Sequence, residues 1–420
     1  MDGPQIQDLS QQHGTASPAQ TPQASRHPMA WRPEDFVETT NSSVIVVDQV
    51  GRTEVAQALE SFKAHGLDGD EVCRENFPLP SLASHLDDRA SPNVHEGTGF
   101  AVIRGLDLSS FRPEDQLVIF LGLASYMGNV RGMQDRRGTM IAHITDSKLW
   151  SGVAPRLRHG IHTNSDLSWH NDMGVDILAL HVRAVAEQGG RTFLASSWTI
   201  YQELERTRPD IIHILTQSEW PIQVSGNPPR FLRAPLLQVY KGKILFSVDP
   251  GRLGVHPGTS KHARTPPGTG LTDAQHEALD VVSDLATKNR YCLNTIPGDM
   301  IFINNWSLLH ARESYKDSDS DTNPNQRRHL VRLWLRNSKR AWDIPPCMRA
   351  PWEAAYGPHG DGNPVHTAGI QRFEVERQYP VVPGPVYKIP KYTAGSAAFI
   401  LEDDSDVNAF QGSSTQTVEA

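Results

Sequence analysis

Trp169-His170-Asn171-Asp172, followed by Asp176-Ile177-Leu178-Ala179-Leu180-His181-Val182, is the stretch from which the architecture of this 420-residue chain is read. The second part is apolar at both alternating positions, the mark of a strand covered on both faces. The first part sets a histidine and a carboxylate two residues apart, on one side of an extended chain, where both reach one metal ion. Two further His-x-Asp tripeptides occur: His85-Leu86-Asp87 beside Asp88 and Arg89, and His359-Gly360-Asp361 in a Pro/Gly loop. With 18 histidines in the chain, about two such matches arise by chance, and neither of those surroundings fixes a ligand pair. Only His170 and Asp172 adjoin a buried strand.

Working outward, residues 100–104, 244–248, 300–303 and 329–336 also read as short strands. Helix signals lie between them. Thr53 caps a run over 54–64 with Gly66 as its stop, and Pro113 opens a run through Ala124. Ser197 or Thr199 caps a helix ending before Pro209, and Thr272 with Gln275 forms a capping box opening a helix to about residue 288. Short strands irregularly interrupted by helices predict a mainly β sandwich or jelly roll with flanking helices, not a βαβ alternation.

Composition bounds the rest. At 38% hydrophobic and 21% charged, the chain can bury a sizeable core. No apolar run approaches the roughly 18 residues of a membrane helix, and Met1-Asp2-Gly3-Pro4 lacks signal-peptide features, so a cytoplasmic location is expected. The three cysteines, Cys73, Cys292 and Cys347, are too dispersed for a disulfide framework or a thiolate zinc site. Residues 394–420 carry five acids and no Lys or Arg, and residues 1–30 two acids and one Arg, so the ends hold −6 of the net −8. The near-neutral body lacks the field for nucleic acid or an anionic membrane. Residues 1–40 are expected to be a disordered tail, 41–392 the catalytic domain with the Pro-rich run 380–390 as an extended strap, and 393–420 an acidic flexible tail.

A metal site built on His170 and Asp172 needs another ligand from a distant strand. His310 is the candidate, in Pro297-Gly298-Asp299-Met300-Ile301-Phe302-Ile303-Asn304-Asn305-Trp306-Ser307-Leu308-Leu309-His310-Ala311-Arg312. Two His and one carboxylate leave three octahedral positions open, which suits Fe(II) binding a co-substrate and dioxygen together. In Arg327-Arg328-His329-Leu330-Val331-Arg332-Leu333-Trp334-Leu335-Arg336, Arg328, Leu330, Arg332 and Trp334 share one strand face. Burying guanidiniums beside Leu and Trp is costly without an anion, and a carboxylate ligand explains them economically.

These residues resemble the TauD/TfdA family of Fe(II)- and 2-oxoglutarate-dependent dioxygenases in its fungal, clavaminate-synthase-like form. The resemblance rests on Gly99-Phe100-Ala101-Val102-Ile103-Arg104-Gly105, Trp169 to Asp172, Gly189-Gly190-Arg191-Thr192, and Gly298-Asp299 through His310 to Trp334, in family order. It implies a double-stranded β-helix in which His170, Asp172 and His310 bind iron, Thr192 and Arg328 hold the far carboxylate of 2-oxoglutarate, and Arg332 lies nearer substrate. Choosing Arg328 over Arg327 follows the Arg-x-x-x-Arg match, because a polar stretch, residues 316–324, lengthens the loop after His310. Asn171 stands where Thr is common and is expected to point away from the metal without affecting ligation. With O2, such an enzyme oxidises an unactivated C–H bond by hydroxylation, desaturation or ring closure. The expected substrate is a small carboxylate- or amino-acid-like molecule of fungal specialised metabolism. The alternatives are a cupin-like metal enzyme with non-oxidative chemistry, which has no use for Arg328 and Thr192, and a non-catalytic binding relative, which an intact set of ligands disfavours. The long segment 128–166, with His162, Asn164 and Asp166, is expected to form part of a substrate lid.

Overall fold

Along the strand His329–Arg336, Val331, Leu333 and Leu335 pack into one apolar cluster while Leu330 and Trp334 pack into another. The same alternation divides Phe100–Arg104, Ile177–Ala184 and Met300–Asn304, because successive side chains leave opposite faces of a strand. A computed structural model describes residues 27–36, 43–134, 140–146, 160–224, 230–254, 270–318 and 327–357. In it these strands lie in a seven-stranded sheet ordered Val44–Val46, Phe100–Arg104, Met300–Asn304, Ile177–Ala184, His329–Arg336 and Val130–Gly132, with Ile141–Ile144 also paired to His329–Arg336. The helices Gln49–Ala64 and Pro113–Met127 cover one face. On the other lies the shared core with a four-stranded sheet, ordered Tyr291–Leu293, Thr192–Ser196, Leu308–Arg312 and Leu167–His170. The helices Ser197–Thr207, Pro209–Thr216 and Asp273–Lys288 complete that core. Two sheets across one core with helices outside make the expected double-stranded β-helix.

Local signals hold where the capping chemistry is unambiguous. Thr272 accepts from Gln275 N and the Gln275 side chain returns the bond, which opens Asp273–Lys288. Ser196, one residue before the expected caps, accepts from Thr199 N. The first long helix begins earlier than expected. Asp48 caps it by accepting from Gly51 N, and Thr53 lies inside it with its hydroxyl bonded back to the Gln49 carbonyl.

Residues 27–36 differ from the expected tail of 1–40. Met29 and Trp31 are buried in the core, Trp31 Nε1 donates to the Thr98 carbonyl at 2.7 Å, and His27 stacks on Trp198 with centroids 3.7 Å apart. Arg32 Nη2 pairs with Glu203 at 2.5 Å. Two large apolar side chains are enough to dock the segment although its average composition is polar. The expected strap 380–390, the tail 393–420 and His359 lie outside the described residues. Among the described residues no helix is long and apolar enough to cross a membrane.

The helix-covered face of the large sheet holds three buried histidines. His143 and His181 both register against Val331, His143 Nδ1 lies 3.1 Å from His329 Nε2, and His181 packs on Phe120. Burial, with Arg183 nearby, lowers His143 and His181 to about 3 and holds His329 well below its ordinary value. Their folded pKa values lie below the unfolded one, so the unfolded chain binds more protons in acid. The stabilisation is therefore full above about pH 6.5 and is lost as pH falls toward 3. His143 and His181 are each expected to cost about 2 kcal/mol at about pH 5. Denaturant unfolding should show a markedly lower midpoint at about pH 5 than at about pH 7.5, and His181→Leu should narrow that difference.

Candidate metal centre

The strand Leu167–His170 ends at His170, which pairs with His310 of Leu308–Arg312, and the two rings lie 4.1 Å apart. Asp172 is past the strand end, so strand alternation is not what brings it to the histidines. A turn does, and Asn171 holds it: its side chain donates to the carbonyls of Asn305 and Leu308 and accepts from Val248 N at 3.0 Å. Asn305 clamps the other side. Its Oδ1 accepts from Asp172 N at 2.9 Å, and its Nδ2 donates to the carbonyls of Asp172 and Val175. Asn171 is thus a support of the ligand turn rather than a neutral filler. As a result one ligand atom each from His170, Asp172 and His310 lie within 4.8 Å of one another, the one such group among the described residues.

The donor set fits a divalent cation. His170 Nδ1 lies 2.7 Å from the Ser168 carbonyl, which fixes the proton there and leaves Nε2 with its lone pair. His310 is buried and its Nδ1 has no hydrogen-bond partner. Burial, with His170 and Arg332 adding to it, lowers its pKa to about 3, so the ring is neutral. Burial pushes the Asp172 carboxyl up, yet Arg332, the two histidines and the Trp334 N–H outweigh it and hold the pKa below the ordinary range. Both hydrogen bonds to that carboxylate, from Trp334 Nε1 at 2.7 Å and Arg332 Nη1 at 3.1 Å, fall on Oδ2. Oδ1 is left for a metal.

Thr192 lies on the strand beside that of His310, and Arg328 directly precedes the strand that carries Arg332 and Trp334. Thr192 is buried and registers directly against Arg312, two residues beyond His310. Arg328 is buried, its Nε donates to the Gly190 carbonyl at 3.1 Å, and its Nη1 has no partner. Gly190 permits this approach: its φ is +71°, and a Cβ there would meet Arg328 Cδ at 2.8 Å. A buried guanidinium with an unsatisfied nitrogen is what a carboxylate fits. Arg332 lies four residues further on, within the strand His329–Arg336, and three of its five N–H groups are engaged, by Asp172 and by Gln134 Oε1.

Other sequence candidates separate. His85 closes the short helix Leu82–His85 and Asp87 pairs with Arg74, away from any metal-ligating group. Of the segment expected as a lid, His162 is buried, Asn164 and Asp166 are exposed, and residues 135–139 and 147–159 lie outside the described ones. Asn305 and Gln134 were not anticipated. The one available signal was the Asn304-Asn305 pair directly after a buried strand, where a polar side chain must find partners.

A family model described as "Taurine catabolism dioxygenase TauD, TfdA family" matches residues 54–334. The chain is 37% identical over 324 residues to the taurine hydroxylase-like protein SAT17 of Stachybotrys chartarum (strain CBS 109288 / IBT 7711), covering 76% of this chain and 81% of that one. Asparagine oxygenase solved with Fe(II), 2S,3S-3-hydroxyasparagine and succinate is similar in fold, with a TM-score of 0.52 at 14% identity over 70% of this chain and 93% of that one. So is the non-heme iron oxygenase OrfP with Fe, succinate and (3S)-hydroxy-L-Arg, with a TM-score of 0.51 at 16% identity over 70% and 94%.

Asn305→Ala leaves the Asp172 N–H and carbonyl unpaired inside the protein. It should lower unfolding stability by about 2 kcal/mol and weaken Fe(II) binding at least tenfold, read by denaturant unfolding and anaerobic metal titration.

Proposed function

The chain belongs to the TauD/TfdA family of Fe(II)- and 2-oxoglutarate-dependent dioxygenases, and from that premise we propose that His170, Asp172 and His310 hold its iron. In the same reading Thr192 and Arg328 hold the far carboxylate of 2-oxoglutarate, and Arg332 faces the acid group of the substrate. The observation that carries it is the meeting of two imidazoles and one carboxylate, together with a buried Arg328 whose Nη1 lacks a partner and which stands four residues before Arg332, the partner of Asp172. A site for a metal alone would not need that guanidinium.

Iron with 2-oxoglutarate and dioxygen supplies the oxidising power, and 2-oxoglutarate leaves as succinate and carbon dioxide. The protein's residues do the placing. Ser168 fixes the His170 tautomer, and Arg332 with Trp334 fixes the rotamer of Asp172. Gly190 lets Arg328 approach. The two N–H groups of Arg332 not spent on Asp172 and Gln134 remain for a substrate carboxylate. The substrate is a small carboxylate- or amino-acid-like molecule oxidised at an unactivated C–H bond. Hydroxylated amino acids in the two similar structures support that class, and we place the reaction in fungal specialised metabolism. The catalytic unit spans 41–392 with residues 27–36 docked against its core.

Purified protein given Fe(II) and 2-oxoglutarate without oxygen should develop the weak visible charge-transfer band of the chelate, and His170→Ala and His310→Ala should abolish it. Arg328→Ala should raise the 2-oxoglutarate concentration needed for half-formation about a hundredfold, as expected for removing one partner of a buried charge pair. No band from protein that holds metal would refute the co-substrate assignment. Small acids and amino acids can then be screened for coupled succinate release.

A further inference from the structure

Arg312 follows His310 by two residues on the same strand, so both side chains leave one face about 7 Å apart along the chain. Directly opposite Arg312 is Thr192, and the guanidiniums of Arg312 and Arg328 lie 5.2 and 5.3 Å from the ring centroid of Tyr315. Arg312, Arg328 and Tyr315 are all more than nine-tenths buried. Their free polar atoms are Arg312 Nε and Nη1, Arg328 Nη1 and the Tyr315 hydroxyl, none with a hydrogen-bond partner. No described carboxylate pairs with either guanidinium; Asp317, the near acid, accepts instead from the Arg328 backbone N–H at 2.8 Å. The third nitrogen of Arg312, Nη2, is held by the carbonyls of Gly160, Thr163 and Ser165, which fixes the direction of the other two.

Two buried like charges with idle donors around one phenol repel each other and have lost their water, a state that an anion between them relieves. Resting on the co-substrate assignment above, we propose that Arg312 and the Tyr315 hydroxyl complete the pocket for the far carboxylate of 2-oxoglutarate, so that two guanidiniums bind it. Arg312 also joins this end of the pocket to the segment leading into the strand of His170.

The test compares 2-oxoglutarate with 2-oxobutyrate, which keeps the chelating end and lacks the far carboxylate. Each is titrated anaerobically into Fe(II)-loaded protein and followed by the charge-transfer band. Wild type should prefer 2-oxoglutarate strongly. Arg312→Met should reduce that preference roughly thirtyfold with 2-oxobutyrate affinity little changed. Tyr315→Phe, which keeps the ring and its packing, should reduce it several-fold and so serves if Arg312→Met fails to fold. Equal weakening of both ligands, or an unchanged preference in the variants while Arg328→Met loses it, would overturn the role of Arg312 and Tyr315 alone. A wild type with no preference between the two acids would overturn the co-substrate pocket itself.

Discussion

The constraint on which the site depends is the burial of the Asp172 carboxylate. An ionised carboxylate in the core is tolerated only when hydrogen-bonded and paired, and here both requirements are met by one strand, through Arg332 and Trp334. Those two residues are on the same face because strand positions two apart are. Asn171 and Asn305 then fix the backbone that carries the carboxylate, so its position is set by contacts far apart in sequence. The metal-ligand geometry is accordingly a property of the sandwich, and His310 enters it from the opposite sheet.

The strand His329–Arg336 serves both sides of its sheet. Its even positions support the ligands, and its odd positions fill the core beneath the helices Gln49–Ala64 and Pro113–Met127. His143, His181 and His329 are buried on the helix-covered side and stay neutral. Protonating them strains the same strand that positions Arg332 and Trp334, which couples acid sensitivity of the fold to the integrity of the site.

Much of this was legible in the sequence where one residue's chemistry decides its place. The Thr272–Gln275 capping box, Pro113 as a helix start, and the period-2 pattern of 329–336 each depend on neighbours a few residues away. His170, Asp172 and His310 were legible because few side chains bind metals, although the reason they meet was not: a stapled turn, not strand alternation, brings Asp172 round. Asn305, Gln134 and Arg312 were not legible. A polar side chain on or after a buried strand announces only that it must have a partner, and the partners lie in segments folded back from over a hundred residues away in each case. Residues 27–36 were misjudged because averaging over a polar stretch hides Met29 and Trp31, which alone bury enough apolar surface to anchor it.

Charge balance carries the argument one step further, toward the substrate. The buried groups around the site include one carboxylate, Asp172, and the guanidiniums of Arg312, Arg328 and Arg332, while the nearby Arg252 is balanced by Asp249. Of these only Arg332 pairs with Asp172. A divalent cation would increase the positive excess, and a dianionic co-substrate held as proposed by Arg328 would return it only in part. An interior left with uncompensated positive charge is costly, so the remaining demand falls on the next molecule to enter. On the proposed assignment the site would therefore favour a substrate carrying its own acid group, and most so once metal has bound. A neutral molecule of the same shape would leave the two remaining N–H groups of Arg332 without an acceptor, and its binding would forfeit the charge-assisted hydrogen bonds that an acid group could make there.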